Sequence, residues 1–203
     1  MTEPDRLARA LALIDSANAE DPNQEQDGDR TWAKELLYSM RMSEMLERFA
    51  PDADEAMQLA ARAQHIRRWT SARTDFPEGR QGYLQWRTGM YKFHAETAGA
   101  LLAEAGYDQS VIDRVQQAVG KRAIKLNPDS QLIENIAALV FLEHYMLPFA
   151  SKHPEYDEAK WLDIIRKAWK KLSESGRAFA VSGKLRLPEP LVPLIQKALA
   201  EPA

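Results

Sequence analysis

Apolar residues recur at intervals of three and four along most of the chain, the spacing of amphipathic helices. Leu7, Leu11 and Ile14 predict a helix over residues 4–18. The run DPNQEQDGD from Asp21 carries no apolar side chain besides its proline and reads as a solvated loop. Thr31 is placed to cap a second helix whose buried side would hold Leu36, Leu37, Met40, Met45, Leu46 and Phe49. Lys34 and Glu35 fall in its first turns. Pro51 ends it, and Asp52 caps a third, alanine-rich helix that runs on to about Trp69. After a loop from Thr70 to Gly79, a fourth helix is expected from Arg80 to Ala105, stopped by Gly106. Asp108 caps a fifth.

The sixth helix, from about Asp129 to Leu147, is apolar on most sides and so belongs in the centre, with Pro148 at its end. A seventh from Tyr156 to Ala180 turns Trp161, Ile164, Ile165, Ala168 and Trp169 inward. A tail helix lies within residues 182–203. No strand pattern and no repeat is visible. The expectation is an all-α bundle of seven to eight helices forming one domain over residues 1–203.

Composition changes this picture little and narrows the chemistry more. The chain has 203 residues, 45% hydrophobic and 28% charged, which suits a single folded core. Its net charge of −3 gives no overall drive toward nucleic acid. With no cysteine, thiolate chemistry and disulfides are excluded, and a metal would need His, Asp, Glu or Asn. No run of about 18 apolar residues predicts a membrane span. The acidic, amphipathic start lacks the basic and apolar blocks of a secretory leader, so the cytoplasm is the expected location.

Candidate chemistry concentrates between Gln64 and Glu96. His65 and His94 lie on consecutive predicted helices, and two such imidazoles can share one metal ion if those helices pack side by side. Arg80, Tyr83, Arg87, Tyr91 and His94 share one face of the fourth helix. With Arg67, Arg68 and Arg73 they could line an anion site, since guanidinium groups match phosphate and carboxylate oxygens. Trp69 and Tyr83 could stack on a flat ring. Glu134 and Asn135 interrupt the apolar sixth helix, where a buried carboxylate needs a partner or a cation. A plain structural alternative stands beside each: a solvated arginine face, a satisfied core histidine, a Glu134 near enough to the helix start to meet water and favour its dipole. Glu96 points about 200° away from His94. The basic run from Lys167 to Lys171 reads as a solvated face, although it is the one feature favouring a protein-docking role.

The segments AQHIRRW, DFPEGRQGYLQWR, KFHAETAGALLAEAGYD and LVFLE together resemble the domain-of-unknown-function 4202 family. ALALIDSANAEDPN and RKAWKKLSESGRA extend the likeness over most of the chain. More distantly, the order of elements is similar to the HD phosphohydrolase superfamily, all-α proteins that hold metal with a His, a His-Asp pair and a later Asp, and cleave phosphate esters. That resemblance puts His65 at the paired His, Ile66 where the Asp would stand, and His94 in a later ligand place. It puts Glu134 or Asn135 near the late Asp, and Glu44 where a first ligand is due. It implies one divalent metal ion held by His65, His94 and Glu134, with Glu44 as the alternative carboxylate. Two functions follow: metal-dependent hydrolysis of a nucleotide or other phosphate ester, or metal-free binding of a phosphate-bearing anion by the same arginines. Neither involves a membrane, and self-association is left open.

Overall fold

The computed structural model describes residues 3–200, and among them ten α-helices and one hairpin. The all-α expectation holds. Two compact units divide the chain, Met1–Ile133 and Glu134–Ala203.

In the first unit, α1 (Glu3–Ala19), α2 (Lys34–Phe49), α3 (Glu55–Arg62), α4 (Gly79–Ala105) and α5 (Gln109–Val119) form the bundle. Helix α4 lies against α1 and α5, while α3 bridges α1, α2 and α5. Ile14, Met42, Met45, Leu59, Ile66 and Leu102 fill the centre and are fully buried. Each such side chain contributes about 1.5–3 kcal/mol by leaving water. The small residues Ala60, Ala61, Ala63 and Ala98 let the backbones approach closely.

The solvated loop after α1 is in fact a hairpin, β1 (Gln24–Asp27) paired antiparallel with β2 (Arg30–Ala33) in the register Gln24 opposite Ala33. Gly28, with φ of 57°, supplies the positive φ at the first turn position. No apolar alternation betrayed it, because only Trp32 and Ala33 of its strand residues are apolar, and its first strand is tied to α2 by charge. Arg41 of α2 is ion-paired with Glu25 and, at 2.9 Å, with Asp27. Thr31 therefore does not cap α2; its hydroxyl donates to Gln26 within the hairpin. The N–H of Glu35 goes instead to the carboxylate of Asp21, 3.0 Å away.

Asp54, not Asp52, caps α3 by accepting the Met57 N–H. That helix ends at Arg62, well before Trp69, and gives way to turns and two short 3₁₀ segments, Arg68–Thr70 and Arg73–Asp75. Helix α4 matches its expected span, stops at Gly106, and is followed by α5 with Asp108 as cap.

Gly82 sets how the loop before α4 closes. A Cβ there would fall 1.9 Å from the Pro77 carbonyl oxygen, a backbone atom that cannot swing aside. Gly89, one helical stretch later, has nothing within 4 Å. Gly82→Ala is therefore expected to lower stability by about 1–3 kcal/mol through overpacking. Gly89→Ala should raise it by up to about 1 kcal/mol through helix propensity. Thermal melts of the two variants check this; equal shifts in the same direction would refute the close approach.

The long helix starting with α6 (Pro128–Val140) crosses the unit boundary and continues in the second unit through a π-helical turn, Phe141–Tyr145, into α7 (Met146–Lys152). Pro148 does not end it. The π turn, closed by the Met146 N–H on the Phe141 carbonyl, resets the ladder so that Pro148 falls in a first turn, where its missing donor costs nothing. Residues Pro128–Lys152 are long and apolar enough to cross a membrane by length and composition, but 56% of that window is buried inside the fold, which marks a core helix. The expected seventh helix is two, α8 (Glu158–Lys171) and α9 (Glu174–Val181), broken at Leu172 and restarted by Ser173, whose hydroxyl accepts the Gly176 N–H. The tail helix α10 (Val192–Ala200) packs on α8.

Candidate functional site

The two histidines converge. The backbone after α3 turns back so that the His65 ring lies 5.8 Å, centroid to centroid, from the ring of His94 on α4. The His65 ring also stacks on Tyr38 of α2, at 4.0 Å with the planes 11° apart. Glu35, one helical turn before Tyr38 on the same face, brings Oε2 to 3.5 Å from the His65 Nδ1. The cluster is graded in depth. The His65 side chain keeps 26% of its surface exposed, whereas His94 and Glu35 are buried, only 1% and 6% exposed.

Burial governs the protonation states. Glu35 is pushed up from the usual carboxylate range to about 7, chiefly by loss of solvent, with Arg68 and Lys34 opposing. His94 is pushed down to about 3, again mainly by burial and then by His65, with a bond to the Ile66 carbonyl acting the other way. His65 is driven well below its ordinary value by burial and by the field of Arg68, Lys121 and Lys34. Near neutrality the site therefore holds two neutral imidazoles and a carboxyl poised to gain or lose a proton.

The tautomer of His94 follows from one contact. Its Nδ1 lies 2.8 Å from the Ile66 carbonyl oxygen, which can only accept. The Nδ1–H is thus the donor, and Nε2 carries a bare lone pair. That nitrogen is buried and has no hydrogen-bond partner, as is true of Glu35 Oε2 and of both amide atoms of Gln64. Buried polar groups are nearly always paired, so several bare ones around a single turn call for a ligand, ion or water. Ile66, where the resemblance would place an aspartate, is itself fully buried in the core; its contribution to the site is its backbone oxygen.

The arginines divide. Arg68 acts on Glu35 and both histidines, and its guanidinium sits over the Trp86 ring at 4.8 Å. Arg67 pairs with Glu20 at 3.2 Å. Arg73 holds the loop by donating to the carbonyls of Phe76 and Gly79. Arg87 donates to the Tyr91 hydroxyl. Arg80 is exposed and Trp69 is half-buried. Tyr83 is 41% exposed, beside Trp86. The expected face of α4 thus runs from solvent at Arg80 to the interior at His94, and does not form one wall. The cations missed by sequence reasoning are Lys34 and Lys121.

The expected carboxylates are occupied elsewhere. Glu44 lies nine residues beyond Glu35, about half a rotation round α2, and pairs with Arg48 on the exposed side. Glu134 stands 4.0 Å from Lys171 in the second unit. Asn135 also serves that unit. It donates to the Ser173 hydroxyl and accepts the Ser173 N–H, fixing the break between α8 and α9. Among the described residues no three His, Asp or Glu side chains are gathered to hold a metal ion. Glu35 is the member of this cluster that sequence reasoning passed over. By sequence it is only a first-turn residue of the second helix, yet it shares a helical face with Tyr38, Met42 and Met45, all of them buried.

A separate groove of about 610 Å³ opens between α4 and α5. It is lined by Lys92 and Arg122 against Glu96 and Asp113, with Tyr91 at one side, and by neither histidine.

Over residues 8–195 the chain matches the family described as "Domain of unknown function (DUF4202)", and it belongs to that family. No curated protein and no solved structure gives a significant match.

Proposed function

We propose that this family member binds a small phosphate-bearing anion at the Glu35–His65–His94 cluster and hydrolyses its ester. The observation that carries the reading is the bare, buried Nε2 of His94 in one cluster with His65 and, against His65, a carboxyl pushed up to about 7. A site built only to hold an anion gains nothing from a buried carboxylate, which would repel it. A site that moves protons near neutral pH needs that group. Arg68, Lys34 and Lys121 supply the field that attracts the anion.

The proton accounting is simple. A water oxygen forms a bond to phosphorus while the ester P–O bond breaks. One imidazole takes the water's proton, and protonated Glu35 gives its own to the leaving alkoxide. Burial is the main reason the imidazoles stay neutral, and the nearby cations add to it; a bound phosphate dianion offsets that second contribution and so makes the imidazoles better bases when substrate is present. The cluster offers a divalent ion two nitrogen donors, without the carboxylate ligands that the superfamily resemblance implies, so no step is routed through a metal.

Turnover of a panel of nucleotides, sugar phosphates and p-nitrophenyl phosphate tests the reading, with and without chelator and with added magnesium, manganese or zinc. Hydrolysis that persists in chelator is the expected result. Activity that vanishes with chelator and returns with one metal would replace the metal-free mechanism by one using His65 and His94 as ligands. Phosphate or vanadate should also raise the melting temperature by mass action. Stabilisation without turnover of any ester would point to the binding role alone, and neither turnover nor stabilisation would sink both.

A further inference from the structure

We propose that Asn18 is a positioning residue of this site, holding the turn after α3 in the left-handed conformation that orients both imidazoles. Asn18 lies near the end of α1 and is completely buried. Its Oδ1 accepts the backbone N–H of Arg67 at 3.1 Å. Arg67 has φ of 51° and ψ of 33°, a conformation that a residue with a Cβ adopts only when its surroundings enforce it. The turn is otherwise closed by local bonds, Ile66 N–H to Ala63 and Arg68 N–H to His65. The bond from Asn18 is the one that ties it to another helix at the reversed residue.

The consequences lie on either side of Arg67. Ile66 directs its carbonyl at His94 Nδ1 and thereby leaves Nε2 bare. His65 lies flat against Tyr38 and within 3.5 Å of Glu35. Three residues beyond Asn18, Asp21 accepts the Glu35 N–H and so fixes the start of α2. The end of α1 thus pins both the imidazole arm and the carboxyl arm. The ion pair of Arg67 with Glu20 is exposed and salt-screened, and cannot substitute for this bond.

This inference rests on the cluster being the functional site, but its primary readout needs no turnover. In the full-length chain, nitrogen-15 spectra of the imidazoles are recorded for wild type, Asn18→Ala, Arg67→Gly and the double variant, with phosphate affinity measured in parallel. Asn18→Ala is expected to lose the protected His94 Nδ1–H resonance, to move the His65 titration up toward its ordinary value, and to weaken phosphate binding about 10-fold or more, the factor expected when one hydrogen bond to a charged ligand is lost. Glycine enters the left-handed region without strain, so Arg67→Gly in the Asn18→Ala background should restore both imidazole signatures, and alone should leave both unchanged. An Asn18→Ala protein that melts earlier but keeps the wild-type imidazole spectrum would overturn the proposal, as would a double variant that is not rescued. If Asn18→Ala does not fold, Asn18→Asp keeps the acceptor and should retain the His94 Nδ1–H resonance; its loss there would equally overturn it. Wild-type spectra in every variant leave the hydrolysis reading standing, and absence of turnover leaves the assignment of Asn18 standing.

Discussion

Glu35→Gln is expected to abolish turnover and, at the same time, to stabilise the protein above pH 7. The amide keeps the shape of the side chain but has no proton to deliver, so removing the general acid should cost roughly 10²–10⁴ in kcat. The stability effect has the opposite sign because burial raises the pKa of Glu35 from 4.5 to about 7. The unfolded chain releases this proton near 4.5, whereas the folded chain holds it until about 7. Ionisation therefore penalises the folded state increasingly as pH rises between those values, and the penalty is complete above 7. The shift corresponds to about 3 kcal/mol. Urea melts of wild type and Glu35→Gln should converge near pH 4.5 and differ most at pH 8, with the variant the more stable. Parallel curves at both pH values would show that Glu35 is not held protonated by the fold. A gain in stability with a loss of function is what a strained functional carboxyl produces.

His94 gives the second large effect, and two substitutions separate its roles. His94→Ala removes both ring nitrogens, leaves the Ile66 carbonyl without its donor and opens a cavity. It should cost about 2–4 kcal/mol and abolish turnover. In His94→Asn the side-chain amide N–H can replace Nδ1–H as donor to Ile66, while the bare Nε2 is lost. Stability should then return to within about 1 kcal/mol of wild type with turnover still absent. Substantial activity in the asparagine variant would end the claim that Nε2 participates.

The same residue predicts a limb of the acid denaturation curve. His94 is neutral in the folded chain down to about pH 3, while its ordinary value is 6.5. Protons therefore favour the unfolded state as pH falls from 6.5 toward 3. The asparagine variant should lose stability less steeply than wild type over that window.

Much of the fold was legible in the sequence because periodicity, caps and stops are local. Helix α4 and its glycine stop, the Asp108 cap and the apolar stretch from Pro128 are each written within a few residues of where they act. The errors fall where a distant partner decides. The hairpin has only Trp32 and Ala33 as apolar strand residues, and its first strand is held by Arg41 of α2. The cap of α2 comes from Asp21 and not from the adjacent Thr31. Pro148 looks like a stop until the π turn shifts the ladder around it. Asn135 looks like a ligand until Ser173 is found bonded to it.

The site divides along the same line. The amino-acid sequence by itself singled out His65 and His94 as a candidate pair, since they lie on consecutive segments rich in arginine. It also determined the helical class and excluded thiol chemistry. Only the tertiary structure decided that the two rings approach each other, that the carboxyl against His65 is Glu35 and not Glu44 or Glu134, and that the cations acting on the cluster are Arg68, Lys34 and Lys121. The reason is physical. Periodicity reports which side of a helix a residue occupies, but burial and the field of neighbouring charges arise when separate segments close on one another. Those two terms turn an ordinary first-turn glutamate into a carboxyl that titrates near neutrality.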